Sequence, residues 1–269
     1  MMRCAVVGHP VAHSLSPAIH CAAYQLLDLD WSYQVIDVEP GGLRAFIASL
    51  DDSWRGLSVT MPHKVDLVEL GETDATVDLL GAANTWVRRD GRTIVRNTDV
   101  TGAEVALRAR GVTEVEKVAM LGAGATARSV VAAVIGMGAG EVVVMSRSRE
   151  RSTEILKLAD DLGAHVAWLP FDSEPPRCDL MVSTVPARSL MTRAKDLTAR
   201  ADAVFDVVYD LWPTPVAVAG KVTGVTVIDG LDLLAGQAVD QVQLMTGHRV
   251  PMDVLRSTAQ NALVERVGL

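Results

Sequence analysis

Cysteine is scarce in this chain of 269 residues, which contains only Cys4, Cys21 and Cys178. Three is an odd number, and no two of these cysteines form a CxxC pair. A disulfide framework and a cysteine-based metal site are therefore both excluded as expectations. Such sparing use of cysteine predicts a reduced, cytoplasmic protein.

Long apolar runs are lacking as well. The longest stretch without Asp, Glu, Lys or Arg covers 4–27, and Gly8, Pro10 and Pro17 interrupt it, so we do not expect it to span a membrane. No basic segment followed by an apolar one opens the sequence, so no signal peptide is expected. The formal net charge is −8, which argues against nucleic acid and anionic membranes as partners.

What the chain does contain is an alternation of short apolar strands with amphipathic helices. Apolar residues make up 49% and charged residues 22%, which is an ordinary globular balance. In the first hundred residues, strands are predicted at 4–8, 31–38 and 55–60, and Asp90-Gly91 predicts a tight hairpin. This part is predicted to be a mostly parallel α/β layer with an antiparallel edge.

The pattern starts afresh near residue 100. A helix leads to the apolar strand 118–122, and a second strand follows at 141–145. Six strands with helices between them predict a doubly wound dinucleotide-binding (Rossmann) fold. The later strands are predicted near 165–169, 179–184, 203–208 and 224–228.

A glycine-rich turn connects the first strand of this predicted fold to the helix that follows it. Gly122, Ala123, Gly124 and Ala125 follow a strand and open a helix. In that context, glycines let the backbone approach a pyrophosphate at a helix N-terminus. We therefore expect these four residues to contact a dinucleotide.

Three arginines follow the second strand of the same fold. An NAD enzyme usually places a carboxylate there for the ribose 2′-hydroxyl, but this chain has Arg147, Arg149 and Arg151, at the start of a helix predicted from about 148. Cations at a helix N-terminus cost about 0.3–1 kcal/mol each, and a bound 2′-phosphate removes that cost. The cluster predicts NADP(H), with Arg147 and Arg151 as ligands of the 2′-phosphate.

Two serines lie at the start of a helix predicted over 17–28. Ser16 suits the N-cap and Pro17 the first helical position, while Ser14 lies outside the helix. A helix N-terminus with two hydroxyls favours a carboxylate or another anion. The plainer alternative is that Ser16 only caps the helix and Ser14 is an ordinary loop residue.

Lys64 and Asp99 each follow a predicted strand. Lys64 closes SVTMPHK (58–64), in which Pro62 keeps the preceding residue extended and so fixes the turn that presents Thr60 and Lys64. Without further context, Lys64 could be a solvated charge and Asp99 the N-cap of a helix that starts near Thr101.

The two serines, SVTMPHK, GAANT (81–85) and NTD (97–99) occur in this order ahead of the glycine-rich turn. Together they resemble the shikimate dehydrogenase family over essentially the whole chain. The resemblance implies two domains, a substrate-binding one at 1–101 joined by C-terminal helices at 237–269, and an NADP-binding Rossmann domain at 102–236. It also implies NADPH-dependent, reversible reduction of 3-dehydroshikimate to shikimate, on the route to aromatic amino acids.

By the same resemblance, Lys64 and Asp99 form the catalytic pair. Reduction of a ketone leaves an alkoxide that needs a proton and a positive neighbour, and Lys64 can supply both. The resemblance further assigns Gly230 to the cofactor site. The substrate-binding residues that it implies, together with the two serines, are Thr60, Asn84, Tyr209 and Gln237.

The chain departs from the family pattern at several positions. Ala125 stands where a third glycine is usual, and Ser58 where Asn is usual. Ser146 and Ser148 replace the Asn and Thr that flank the first arginine of the cofactor site; Ser146 is still expected to contact the cofactor. Asp232 and Leu233 differ from the usual Gly and Met.

Three other functions remain open from the sequence. They are a quinate/shikimate dehydrogenase that prefers NAD, a methylenetetrahydrofolate dehydrogenase of the same architecture, and a non-catalytic NADP sensor. No metal is expected, because Pro10 prevents a helix that would align His9 with His13. The expected partners are small molecules, and both a monomer and a homodimer are compatible with the sequence.

Overall fold

The computed structural model describes residues 1–209 and 211–268, and the chain divides into two compact units. We call residues 1–102, together with the chain from 234 onwards, the terminal unit, and residues 103–233 the inserted unit. Two helices, α4 (Asp99–Ala109) and α9 (Gly230–Thr246), contain the two boundaries between the units.

The terminal unit contains a five-stranded sheet. Its order is β2-β1-β3-β4-β5, in which β1 pairs in parallel with β2 and β3, while β3–β4 and β4–β5 are antiparallel. Asp90 and Gly91, both at positive φ, connect β4 to β5 as the sequence predicted. The strands are β1 (Met2–Gly8), β2 (Trp31–Asp37), β3 (Trp54–Val59), β4 (Thr85–Arg89) and β5 (Arg92–Arg96).

Both faces of this sheet are covered. Successive residues of β1 point to opposite faces, and Ala5 and Val7 lie in one buried cluster while Cys4 and Val6 lie in another. A strand that is buried on both faces explains why β1 is continuously apolar. The remaining helices of this unit are α1 (Ser16–Leu26), α2 (Leu43–Ala48), α3 (Ala75–Leu80) and α10 (Met252–Val267), with a 3-10 helix at Asp66–Leu70.

The inserted unit contains six parallel strands in the order β11-β10-β9-β6-β7-β8. This is the doubly wound order that the sequence predicted, with the switch point between β6 and β9. The strands are β6 (Lys117–Leu121), β7 (Glu141–Ser146), β8 (His165–Pro170), β9 (Cys178–Ser183), β10 (Ala201–Asp206) and β11 (Thr226–Asp229). The helices are α5 (Ala125–Gly136), α6 (Thr153–Asp161), α7 (Ala194–Thr198) and α8 (Pro215–Thr223).

Three local predictions were wrong. Helix α1 begins at Ser16 and its N-cap is Leu15, so Ser16 is not the cap and Pro17 is the second helical residue. Helix α4 begins at Asp99 itself rather than near Thr101. The helix predicted from about 148 is a 3-10 turn at Glu150–Ser152 followed by α6, because serine hydroxyls bond to the backbone of this segment.

Across the described part of the chain, none of the helices combines the length and the apolarity that a membrane span needs.

Candidate active site

The terminal unit brings Lys64 and Asp99 together. Lys64 Nζ lies 2.6 Å from Asp99 Oδ2, and the two side chains are 12% and 2% exposed. The Lys64 side chain leaves a turn in which His63 N–H donates to the Thr60 carbonyl, just past the end of β3. Asp99 opens α4, where the Asn97 side chain accepts a hydrogen bond from the Asp99 N–H. A short bond between charged groups with so little water around it is stronger than a surface ion pair.

Asn84 holds the other oxygen of the Asp99 carboxylate. Its amide nitrogen donates to Asp99 Oδ1 and to Gln237 Oε1, both at 2.9 Å. The amide oxygen accepts the Thr98 backbone N–H at 2.8 Å. Asn84 is 1% exposed, so its orientation is fixed by the surrounding protein. The structure thus brings together the side chains of Lys64, Asn84, Asp99 and Gln237.

Gln237 comes from the C-terminal part of the chain and reaches this site through a close helix crossing. A Cβ atom added to Gly236 would lie 2.4 Å from the Gly102 carbonyl oxygen, and one added to Gly102 would lie 2.6 Å from Gln237 N. Any larger side chain at either glycine would therefore separate α4 from α9. The crossing is what holds Gln237 against Asn84.

Ser14 and Ser16 lie at the start of α1, as the sequence predicted, although their local roles differ from those expected. The Ser14 hydroxyl accepts the Ser16 backbone N–H at 3.2 Å, which is the serine turn of a short polar side chain. Ser16 is buried at 8% exposure. Thr60, half-buried at the end of β3, is the remaining predicted substrate residue of this unit.

An ion pair stabilises the loop that carries Ser14. His9 Nδ1 lies 2.6 Å from Asp37 Oδ1, and Asp37 Oδ2 accepts the Val11 backbone N–H at 3.2 Å. The hydrogen bond to Asp37 raises the pKa of His9, and the same bond lowers the pKa of Asp37. His9 is thus a loop anchor at the end of β1.

The inserted unit contains a pocket of about 850 Å³ at the carboxyl ends of its strands. The predicted cofactor residues Gly122, Ala123, Gly124, Ser146, Arg147 and Arg151 all line it. Gly122 has a φ of +107°, and a Cβ atom there would lie 2.3 Å from Thr184 Oγ1. At Gly124 an added Cβ would meet nothing within 4 Å, so the turn presents open backbone at the N-terminus of α5, where phosphate groups bind.

Arg147 and Arg151 are exposed guanidinium groups on one side of this pocket. Neither forms an ion pair with the residues described by the structure, so both remain able to bind a bidentate anion. Arg149 does not belong to the lining, whereas its neighbour Glu150 does. The guanidinium groups of Arg147 and Arg151 fit a ribose that carries a 2′-phosphate. A ribose with both hydroxyls free would instead require a carboxylate at the end of β7.

The Ser146 hydroxyl is engaged within the loop. It lies 2.6 Å from Ser152 Oγ and 3.0 Å from the Ser148 carbonyl, and it accepts the Trp168 indole N–H at 2.8 Å. These bonds fix the start of the segment 147–151, which carries the three arginines and which we call the arginine loop.

The other predicted residues of the inserted unit lie outside the lining of this pocket, as far as the described residues show. Ala125 is the first residue of α5, Gly230 begins α9, and Tyr209 follows β10. Seven lining residues were not predicted. Ser148 and Glu150 lie beside the predicted arginines, and the other five follow β8 and β9, strand ends that the Rossmann topology assigns to ligands. These five are Phe171, Thr184, Val185, Pro186 and Ser189.

The inserted unit has a doubly wound sheet with a glycine turn and an arginine loop, and the terminal unit carries a buried lysine–carboxylate pair. These features define an NADP-dependent oxidoreductase of two domains. Family models support the same conclusion over most of the chain. The model of the shikimate dehydrogenase substrate binding domain matches residues 6–86, and that of shikimate / quinate 5-dehydrogenase matches residues 104–228. The chain belongs to the shikimate dehydrogenase family.

Individual relatives are similar over nearly their full length. The shikimate dehydrogenase (NADP(+)) of Methanocella arvoryzae is 36% identical, over 96% of this chain and 98% of that protein. The crystal structure of Mycobacterium tuberculosis shikimate dehydrogenase superimposes with a TM-score of 0.89 at 32% identity, covering 97% of this chain and all of that one. Thermus thermophilus shikimate 5-dehydrogenase in complex with NADP(H) and shikimate gives 0.82 at 30% identity, covering 97% and 100%.

Proposed function

We propose that this protein catalyses the NADPH-dependent, reversible reduction of 3-dehydroshikimate to shikimate. The observation that carries the proposal is the buried pair of Lys64 and Asp99, 2.6 Å apart. Lys64 belongs to the segment 6–86 that matches a shikimate dehydrogenase substrate domain, and Asp99 follows that segment in the same unit. Asn84 and Gln237 adjoin that pair, and the family pattern assigns both to the hydroxyl groups of a small cyclic acid.

Lys64 acts on charge that develops during the reaction. Its ammonium group protonates the alkoxide formed at the ketone carbon, and before that its positive charge stabilises the growing negative charge. Asp99 fixes Lys64 Nζ through one oxygen and the Asn84 amide through the other. In the reverse direction, neutral Lys64 removes the hydroxyl proton of shikimate.

The substrate carboxylate would bind at the start of α1. The Ser14 and Ser16 hydroxyls lie at a helix N-terminus, where partial positive charge favours an anion. Thr60, at the end of β3, is the third hydroxyl that we assign to the substrate. Tyr209 belongs to the inserted unit, and its assignment to the substrate site rests on the family pattern.

The residues of the inserted unit fit NADP(H). Bound NADPH supplies the hydride that reduces the ketone. Arg147 and Arg151 would bind its 2′-phosphate, and the backbone at 122–124 its pyrophosphate. Ala125 and Gly230 complete the proposed cofactor site, and Ser146 would contribute through the loop that it stabilises.

A cytoplasmic location is part of the proposal, since Cys4, Cys21 and Cys178 are all free thiols, as is usual in a reducing compartment. The proposed partners are the two small molecules, shikimate or 3-dehydroshikimate and NADP(H).

A substrate and cofactor matrix tests the proposal. Initial rates are measured with shikimate and with quinate, each with NADP⁺ and with NAD⁺, for the wild type and for Lys64→Ala as the inactive reference. The expected result is that shikimate with NADP⁺ gives the highest kcat/KM. A preference for quinate with NAD⁺ would reassign the substrate and the cofactor. Tight NADP⁺ binding without turnover of either acid would instead indicate a sensor.

A further inference from the structure

A second layer of polar side chains lies behind the proposed substrate residues of the terminal unit. We call His20, Tyr33, Ser58, Thr85 and Gln241 the buried amide network, because the Gln241 side chain lies at its centre. All five are buried, and His20 and Thr85 have no exposed surface. Burying so many polar groups costs free energy unless each is hydrogen-bonded, and an apolar core would fill the same space without that requirement.

The network is continuous with the proposed site through Thr85, whose Oγ1 lies 2.9 Å from the amide oxygen of Asn84. The network therefore adjoins the residues assigned to the substrate hydroxyls.

The direction of every hydrogen bond from Asn84 to Gln241 follows from a single backbone group. The Thr98 N–H can only donate, so the Asn84 atom that it contacts is the oxygen, and the Asn84 nitrogen faces Asp99 and Gln237. The Thr85 hydroxyl must then donate its proton to the Asn84 oxygen. Because that proton is used, Thr85 can only accept from Gln241, whose Nε2 lies 3.2 Å away.

The remaining directions follow in the same way. With Nε2 facing Thr85, the Gln241 oxygen faces Ser58 Oγ at 2.8 Å and His20 Nε2 at 3.2 Å. Both must donate to it, and the Ser58 oxygen in turn accepts from the Tyr33 hydroxyl at 2.6 Å. His20 is therefore a neutral imidazole with its proton on Nε2. Consistently, burial lowers the pKa of His20 to about 4.

We infer that Gln241 and Thr85 are positioning residues, which hold the Asn84 amide with its nitrogen toward Asp99 and Gln237 and so keep the Lys64–Asp99 pair aligned. The inference rests on the proposed function for its kinetic consequence but not for its geometry. Without the Thr85 proton, the Asn84 oxygen keeps only the donors of Thr98, the backbone N–H at 2.8 Å and the hydroxyl at 3.2 Å, and the amide is held less firmly. Asp99 Oδ1 then loses a donor for part of the time.

Thr85→Val tests this directly, because it keeps the branched shape and removes only the hydroxyl. One neutral hydrogen bond is worth enough to change a rate constant by about two- to tenfold. We expect Thr85→Val and Gln241→Met to lower kcat/KM for shikimate by about that factor, with the KM for NADP⁺ unchanged. Thr85→Ser restores the hydroxyl and is expected to recover most of the loss. Gln243→Met is the matched control, since Gln243 is an exposed glutamine two residues further along α9.

A second measurement tests the hydrogen bonds of the network in the absence of substrate. In ¹⁵N NMR spectra, His20 is expected as the neutral tautomer protonated on Nε2, and the Asn84 side-chain amide signals are expected to shift or broaden in Thr85→Val but not in Gln243→Met. An imidazolium or an Nδ1-protonated His20 at pH 7 would overturn the hydrogen-bond assignment. Unchanged Asn84 signals and unchanged kcat/KM in Thr85→Val would overturn the positioning role. If the wild type turned over no shikimate, the proposed function would fail, and the Asn84 signals would still decide the inference.

Discussion

Lys64 and Asp99, 35 residues apart in the chain, form a 2.6 Å hydrogen bond that is almost excluded from water. Lys64 lies in the turn that follows β3, and Asp99 is the first residue of α4. The pair can therefore form only after both elements have folded. The Asn84 amide occupies the second carboxylate oxygen, which leaves Lys64 as the group of this cluster that can exchange a proton with a ligand.

Lys64→Ala is expected to lower kcat by at least about 10²-fold, which is the lower end of the range for general acid–base catalysis. The loss falls on kcat because Lys64 acts on charge that is present only in the transition state. Steady-state rates give kcat, and calorimetric titration with shikimate gives the affinity, which should change little. Lys157→Ala, at an exposed position of α6, is the control. A variant with normal kcat and weak binding would contradict the catalytic assignment.

Ser14→Ala and Ser16→Ala are each expected to raise the KM for shikimate, by about tenfold or more, because a hydrogen bond to a charged group is worth about 1.5–3 kcal/mol. Their effects on kcat should be smaller, since the carboxylate is bound alike in the ground and transition states. Ser49→Ala, an exposed serine in the same unit, is the control. If neither variant changes KM, the substrate carboxylate binds elsewhere.

Arg147→Ala and Arg151→Ala are expected to raise the KM for NADPH about tenfold or more, because each removes a charge-assisted bond to the 2′-phosphate. NADH lacks that phosphate, so the activity with NADH should be the same in the variants as in the wild type. Arg149→Ala provides a control of the same residue type in the same loop, outside the pocket lining. Equal losses with both cofactors would show that the arginines serve the structure rather than the choice of cofactor.

His20 should make the stability of the protein depend on pH in a defined window. Its pKa falls from 6.5 to about 4 on folding, so below pH 6.5 the unfolded chain binds a proton that the folded protein does not. Stability from this group is therefore complete above about pH 6.5 and is lost as the pH falls toward 4, by up to about 1.4 kcal/mol per pH unit.

The measurement for this prediction is urea unfolding at pH 7, 6, 5 and 4 for the wild type and for His20→Gln. The variant should lose less stability between pH 6 and pH 4 than the wild type, even if it is less stable at pH 7. His248→Gln, at an exposed position, should follow the wild type. Parallel pH profiles for His20→Gln and the wild type would mean that His20 does not titrate on unfolding.

Much of the fold could be predicted because its signals are local. Alternating apolar segments gave the six parallel strands, and Asp90-Gly91 gave the β4–β5 hairpin. The positions of Lys64 and Asp99 after strands, with the family resemblance, indicated the site. The start of α1 was predicted less well, because Ser14 rather than Ser16 provides the side chain that bonds to the backbone there.

Side-chain partners that are distant in sequence could not be predicted. His20 and Gln241 are 221 residues apart, and no periodicity connects them. Ser146 lies where the family pattern suggests a cofactor contact, yet its hydroxyl bonds to Trp168, 22 residues later. In both cases the tertiary fold determines which of several possible hydrogen-bond partners a polar side chain contacts. The residues next to it in the sequence do not indicate which partner that is.

The division of the terminal unit into two stretches of chain has a consequence for synthesis on the ribosome. The inserted unit is one continuous segment, 103–233, so all of its strands are translated before Gln237 and Gln241, which are on α9. A nascent chain that stops before α9 therefore has every residue that lines the pocket of the inserted unit. It lacks Gln237 and Gln241, although Thr85 and Thr98, which also hold Asn84, are already present. The residues of the pocket are thus synthesised before the full set of side chains that supports the Lys64–Asp99 pair.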